Sequence, residues 1–165
     1  MSNLPKNFLD EIDRRLIVLL VNNARVPFKT LAAEVGLTSP ACAERVRKLQ
    51  EGGYLENFTA EVNHEKLGFP IRAIIRIGAN AELGARLVKI FRETPNVVEA
   101  NRVTGADSYV VQVLARSPEE LERIIDRLGT YGTITTSMVL STPVPLKGRI
   151  GNLLGEQLRG EGKPV

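Results

Sequence analysis

The sequence predicts an α+β protein, with an N-terminal helix-turn-helix part of winged-helix-like type followed by a C-terminal ferredoxin-like βαββαβ part. Two observations carry this prediction. The first third of the chain repeats apolar residues every three or four positions, as amphipathic helices do, whereas the second half contains alternating apolar segments. That second half also repeats one strand–helix–strand order twice. A length of 165 residues fits one ordinary domain or two small ones.

Three helices are predicted in the N-terminal part. The first covers residues 9–21 and the second covers residues 28–35, which Gly36 follows as a common C-terminal residue of helices. The third begins after a short turn. We expect Ser39 to cap this third helix and Pro40 to occupy its first helical position, where the missing N–H costs nothing.

The third helix separates into two faces when its residues are placed at steps of about 100°. Its inward face is apolar: Cys42, Val46 and Leu49. Its outward face is charged: Glu44, Arg47, Lys48, Glu51 and, at its edge, Arg45. In the major groove of DNA, arginine binds guanine through two hydrogen bonds and lysine meets phosphates. The predicted DNA-binding residues are therefore Ser39, Glu44, Arg45, Arg47 and Lys48. The spacing alone also fits a plain helix bundle with a solvated basic face.

The C-terminal part carries a duplicated βαβ unit. Its predicted strands cover residues 71–77, 97–103, 109–114 and 134–140, and its predicted helices cover residues 82–93 and 118–128. The second copy follows the first at a nearly constant offset of about 37 residues. Ser117 and Glu120 form a capping-box pattern at the start of the second helix. Two such units in succession are typical of the ferredoxin-like motif.

Four segments follow from these patterns. They are a helix-turn-helix domain at 1–53, an extended linker at 54–70, a ferredoxin-like domain at 71–145 and a C-terminal tail at 146–165. Within the linker, residues 54–63 alternate and residues 64–70 resemble a turn. The glycine-rich tail is expected to be poorly ordered, apart from one short amphipathic turn. That turn would use Ile150, Leu153, Leu154 and Leu158.

Composition and charge exclude several classes of protein. No apolar run approaches the length of a transmembrane helix, and the first residues lack a secretory h-region, so we expect a cytoplasmic protein with no membrane partner. Cys42 and His64 are the only residues of their types, which excludes an intramolecular disulfide and a Cys/His zinc cage. No metal or cofactor is expected, and Cys42 is interpreted as a small buried hydrophobe. The net charge of +3 is compatible with nucleic acid.

One predicted strand indicates an assembly. Residues 109–114 place Val110 and Leu114 on one face and further apolar residues on the other. Because two helices cover only one face of a four-stranded sheet, an apolar face would otherwise meet water. We therefore expect a homodimer at least, with higher even-numbered oligomers built from it.

Four segments resemble the Lrp/AsnC, or leucine-responsive, family of regulators. They are residues 9–16, 31–55, 103–109 and 135–141, and the resemblance extends over about residues 8–145. It implies a transcriptional regulator that binds double-stranded DNA through its helical domain. It also implies that the βαββαβ domain senses a small amino acid or related metabolite, and that its sheets pack face to face in a dimer.

The resemblance further implies that the loop between the two repeats binds the effector. Gly105, Asp107 and Ser108 correspond to the family's pocket loop, and Thr136 and Ser137 are further candidates. Glycine permits close backbone approach and a carboxylate can meet an ammonium group. Many family members carry an acidic residue directly before the tyrosine, where this chain has Ser108. A simple β-turn explains the same loop without any ligand.

Two other classes of function stay open from the sequence. Siroheme decarboxylases have a similar architecture with a degenerate helix-turn-helix, and their site would need cations and an acid around an anionic tetrapyrrole. Here His64 lies in the linker, and the second half has no basic cluster beyond Arg72, Arg76 and Arg102. The other alternative is a sensor module without DNA contact, which the basic third helix disfavours.

Overall fold

A computed structural model of the chain describes residues 9–79, 83–146, 151, 153 and 154. Contacts between Cα atoms divide it into two compact units. One contains the described residues up to Ala60 together with those from Pro143 onward, and the other is Glu61–Thr142. The four-part division drawn from the sequence stays a prediction. No helix among the residues described is long and apolar enough to cross a membrane.

The first unit contains the predicted helix-turn-helix. Its helices are α1 (Glu11–Asn22), α2 (Phe28–Val35) and α3 (Ser39–Glu51). They share one apolar core, formed chiefly by Leu16, Ile17, Leu20, Leu31, Cys42, Val46 and Leu49. The Cys42 side chain is fully buried there, and burial raises the pKa of its thiol. Gly36 ends α2 with φ 69°, a left-handed conformation that glycine adopts without strain.

The starts of α1 and α3 differ from the prediction. Asp10 caps α1, because its side chain accepts from the Asp13 N–H at 2.8 Å while the Asp13 carboxylate accepts from the Asp10 N–H. Thr38, not Ser39, caps α3, and its hydroxyl accepts from the Ala41 N–H at 3.4 Å. The predicted cap was therefore wrong by one residue: Thr38 has the extended backbone of a cap, and Ser39 is already helical.

The second unit confirms the predicted βαββαβ order. Its elements are β1 (Ile71–Gly78), α4 (Gly84–Glu93), β2 (Val97–Arg102), β3 (Tyr109–Ala115), α5 (Pro118–Gly129) and β4 (Thr133–Met138). The sheet has the order β2-β3-β1-β4, and every neighbouring pair is antiparallel. Ser117 caps α5 as predicted, accepting from the Glu120 N–H at 3.3 Å. β2 and β4 end one and two residues earlier than predicted.

Strand register separates the two faces of the sheet. Ile75 lies opposite Val111 on the buried face, which packs with the apolar sides of α4 and α5 in one core. The other face is mixed. It presents apolar Ile74, Val110 and Leu114 among polar Arg72, Arg76, Glu99, Asn101 and Gln112. The expectation of a plainly apolar open face was therefore too simple, because charged side chains interrupt the apolar ones.

The linker and the tail also depart in part from expectation. Residues 54–63 form no strand, whereas residues 64–68 form the expected turn. In the tail, Gly151, Leu153 and Leu154 are helical, and Leu154 packs against the core of the first unit. Leu153 and Leu154 thus agree with the short amphipathic turn expected there, and Leu154 uses its apolar side to pack. Ile150 and Leu158, the other residues of the predicted turn, lie outside the described residues.

Candidate nucleic-acid interface and ligand loop

The exposed face of α3 brings three of the predicted DNA-binding residues together. The Arg47 guanidinium donates to both carboxylate oxygens of Glu44, at 2.6 and 2.9 Å, and also to Glu51 one turn further along. Lys48 Nζ lies 3.9 Å from the Glu44 carboxylate. These side chains are about half exposed or more, so they form a solvent-facing ion-pair network on the outside of the helix.

The network determines the charge state of this face. Hydrogen bonding to Glu44 raises the pKa of Arg47, and the same bond lowers the pKa of the Glu44 carboxyl. Both groups are therefore charged near neutral pH, and each offsets the other. For Arg47 to bind a base or phosphate, it must exchange Glu44 for the nucleic acid. Glu44 itself can accept a hydrogen bond from a cytosine amino group.

Arg45 is used differently from its neighbours. Its Nη1 donates to Asp10 at 2.6 Å and to Asp13 at 2.8 Å, the two carboxylates of the capping box at the start of α1. The Arg45 side chain is one-third exposed and that of Asp13 is 15% exposed. Both bonds raise the pKa of Arg45, and the bond to Asp13 has the larger effect. Arg45 thus links α3 to α1 inside the helical unit.

Burial and hydrogen bonding oppose each other at Asp10. Burial would raise the pKa of its carboxyl, but the Asp13 N–H and the Arg45 guanidinium outweigh burial and lower the pKa. The folded helical unit therefore favours the ionised form of Asp10. The carboxylate serves α1 as its cap and α3 as an ion-pair partner at once.

Two exposed cations near the start of α2 escaped the sequence reasoning. Arg25 and Lys29 lie on either side of Pro27, which precedes α2, and both are exposed. The Arg25 N–H donates to the Asn23 side chain at 3.0 Å, which holds the turn before the helix. In the sequence, two cations that flank the start of a helix are the signal for these residues. Ser39, a predicted contact, is half-buried in the first turn of α3.

The loop between the two repeats is held by Ser108. Its hydroxyl donates to the Ala79 carbonyl at 3.0 Å and accepts from the Ala79 N–H at 3.2 Å, while its own N–H donates to the Ile77 carbonyl at 2.8 Å. Ser108 therefore ties the loop to the end of β1. Gly105 has φ 116°, which a residue with a Cβ rarely adopts.

Asp107 lies beside Arg76, which was not among the residues expected to bind the effector. One Asp107 carboxylate oxygen is 4.0 Å from Nε of Arg76, which lies on the open face of β1. The Arg76 side chain is half exposed and that of Asp107 is about one-third exposed. An acid and a cation are thus adjacent at the same end of the sheet. The outward alternation of Arg72 and Arg76 along the strand was the signal in the sequence.

Thr136 and Ser137 lie outside the loop and on opposite sides of the sheet. Thr136 is opposite Ile75 on the helix-covered side, and Ser137 is opposite Ile74 on the open side. The Thr136 hydroxyl is buried and has no hydrogen-bond partner among the residues that the structure describes. Within one chain, then, the five candidate ligand residues do not form one cluster.

Two family models match the chain. The model of the AsnC-type helix-turn-helix domain matches residues 9–50, and the model of the Lrp/AsnC ligand binding domain matches residues 72–148. The first match contains α1, α2 and all of α3 except Glu51, and the second contains α4, α5 and all of the sheet except Ile71.

Individual transcriptional regulators are also similar to this chain. The transcriptional regulator FL11 of Pyrococcus furiosus is 34% identical, over 86% of this chain and 99% of the relative. The regulator AldR of Mycolicibacterium smegmatis is 30% identical, over 71% of this chain and 70% of the AldR chain. Among solved structures, LrpC of Bacillus subtilis superposes with a TM-score of 0.79 at 28% identity, covering 86% of this chain and all of LrpC.

Proposed function

The chain belongs to the Lrp/AsnC family of transcriptional regulators, and on that premise we propose that it binds specific double-stranded DNA sites under the control of a small amino-acid effector. The observation that carries the DNA-binding part is the exposed face of α3, where Arg47 and Lys48 lie side by side. α3 is the second helix of the helix-turn-helix, which in such motifs lies in the major groove. We propose a cytoplasmic location, where such a regulator would meet its DNA.

Each candidate residue of α3 has a distinct proposed role. Arg47 reads a base edge and Lys48 meets a phosphate, while Glu44 holds Arg47 until DNA replaces it. Ser39 supports the backbone of the first turn near the DNA. Arg45 acts by holding α3 on α1, since both of its carboxylate partners lie at the start of α1.

We propose at least a homodimer, with higher even-numbered assemblies of that dimer. Ile74, Val110 and Leu114 on the open face of the sheet support a partner there. Two copies would present two reading helices to a pseudo-palindromic site. Sedimentation at micromolar concentration is expected to show a species heavier than the 18.1 kDa chain, and a lone 18.1 kDa species would contradict the proposal.

The effector site is proposed at the loop that carries Gly105, Asp107 and Ser108. The Asp107 carboxylate suits an ammonium group and the neighbouring Arg76 suits a carboxylate, so the pair is complementary to a free amino acid. Gly105 allows the backbone its unusual conformation and Ser108 fixes the loop to β1. Ser137, with Thr136 behind it in the sheet, would contribute only from a neighbouring subunit.

Replacing Asp107 by alanine is expected to abolish the response to the effector while leaving DNA affinity without effector unchanged. Coupling between two sites commonly changes affinity by about 5- to 150-fold, so this range should be seen in the unmodified chain and lost in the variant. The measurement is operator binding with and without a panel of amino acids. Asp126→Ala, which removes an exposed carboxylate from α5, is the control and should keep the response.

A normal response in Asp107→Ala would remove this residue from the site. If no amino acid in the panel stabilised the unmodified chain against heat, the effector part of the proposal would be wrong. Neither outcome would affect DNA binding by α3. The decarboxylase alternative gains no support, because the relatives reported above are named as transcriptional regulators.

A further inference from the structure

The chain continues beyond the part that matches the ligand-domain family model. That match ends at residue 148. The structure describes three residues after that point, all helical: Gly151, Leu153 and Leu154. They belong to the same compact unit as the helix-turn-helix.

Gly151 makes a close backbone contact with α1. It is buried, and a Cβ atom at this position would lie 3.5 Å from Val21 Cγ1 and 3.9 Å from the Val18 carbonyl oxygen. These are ordinary van der Waals distances, so alanine fits here. A longer side chain would extend into Val21 and push the two helical segments apart.

Leu153 and Leu154 are neighbours with opposite surroundings. Leu154 packs against the core that α1, α2 and α3 share, whereas Leu153 is 64% exposed. One side of the segment is therefore apolar and covered, and the other side faces solvent. Gly151 and Leu154 thus meet the helical unit, while Leu153 lies on the side that faces solvent.

We propose that Gly151 and Leu154 dock the C-terminal part of the chain on its own DNA-binding unit, Gly151 against α1 at Val18 and Val21 and Leu154 against the apolar core that the three helices share. The chain leaves the helical unit after α3 and returns to it after β4, so docking attaches this unit to the rest of the protein at two points. A second attachment reduces the conformational freedom of the helical unit. The docking itself does not depend on the proposed function. Only its consequence for DNA binding, a helical unit with less freedom when it meets DNA, rests on that function.

The test is amide hydrogen exchange of α1 in the full-length protein. Leu154→Ala should speed exchange of α1 by about tenfold, because it removes an apolar contact with the core to which α1 contributes. Leu153→Ala changes the same atoms on the exposed side and should leave exchange unaltered. Gly151→Glu should act like Leu154→Ala, whereas Gly151→Ala should not. Exchange of α5 should be the same in all variants.

Three results would overturn the proposal. They are equal exchange in Leu153→Ala and Leu154→Ala, unchanged α1 exchange in Gly151→Glu, and a difference that disappears on dilution, which would assign the docked segment to a second copy. If docking holds but α3 does not bind DNA, the exchange pattern will stand while all variants show equally weak DNA affinity. The two proposals can therefore fail separately.

Discussion

Replacing both Arg47 and Lys48 by alanine is expected to lower affinity for the operator by at least about 5- to 150-fold, since a base-reading arginine alone contributes about 1–3 kcal/mol. The two single variants should differ in which property of DNA binding they lose. Loss of Arg47 should relax sequence preference at one position, and loss of Lys48 should weaken binding to all sequences and reduce its salt dependence. Both expectations follow from their place on the exposed face of α3.

The measurement is a binding titration at several salt concentrations with operator and unrelated DNA. Arg123→Ala with Arg127→Ala removes the same charge from the exposed side of α5 and should leave operator binding unchanged. Glu44→Gln should strengthen binding to unrelated DNA, because it releases Arg47 and removes a charge that phosphates repel. Unchanged affinity and salt dependence in the double variant would show that α3 does not read DNA.

Arg45→Ala is expected to lower both the free energy of unfolding and operator affinity, by a different route. The loss of stability should be about 1–2 kcal/mol, because solvent screens the bond to half-exposed Asp10 and most of the energy comes from the bond to the better-buried Asp13. Arg45→Lys should recover only part of the loss, because an ammonium lacks the planar fork that bridges two carboxylates. Operator affinity should fall because α3 is less well oriented, not because a DNA contact is lost.

Salt dependence separates these two routes. If Arg45 only positions α3, Arg45→Ala will keep the slope of affinity against salt that the unmodified chain shows. A reduced slope, with no loss of thermal stability, would instead make Arg45 a phosphate contact.

Unfolding experiments at low pH give a second check on Arg45. The lowered pKa of Asp10 means that its contribution is present above the unfolded pKa and is lost as pH falls through the folded pKa. Arg45→Ala should weaken this acid dependence.

The order of elements could be predicted from the sequence because each element has a strong local signal. Apolar periodicity and repetition indicated three helices and then βαββαβ, as the structure has them. The cap of α3 shows the limit of local signals. Thr38 and Ser39 are both good capping residues, and only the geometry of the turn decides which hydroxyl meets the free N–H at the helix start.

Long-range contacts explain what the sequence did not show. Helical spacing placed Arg45 at the edge of the outward face, but its partners Asp10 and Asp13 belong to another helix. Asp107 meets Arg76 only because antiparallel pairing brings the loop to the end of β1. Likewise, an amphipathic turn in the tail was foreseeable, but the surface on which Gly151 packs was not, since glycine has no side chain to indicate a partner.

Effector-controlled binding to a specific DNA sequence can be measured by selecting, from fragments of the organism's own genome, those that the purified protein binds, with and without a panel of amino acids. We expect enrichment of a pseudo-palindromic sequence whose half-sites lie about 10 base pairs apart or a multiple of that distance. One amino acid should change this enrichment, and the Arg47 and Lys48 double variant should lose it. Fragments enriched without any shared sequence, or equal enrichment by the double variant, would show that the protein is not such a regulator.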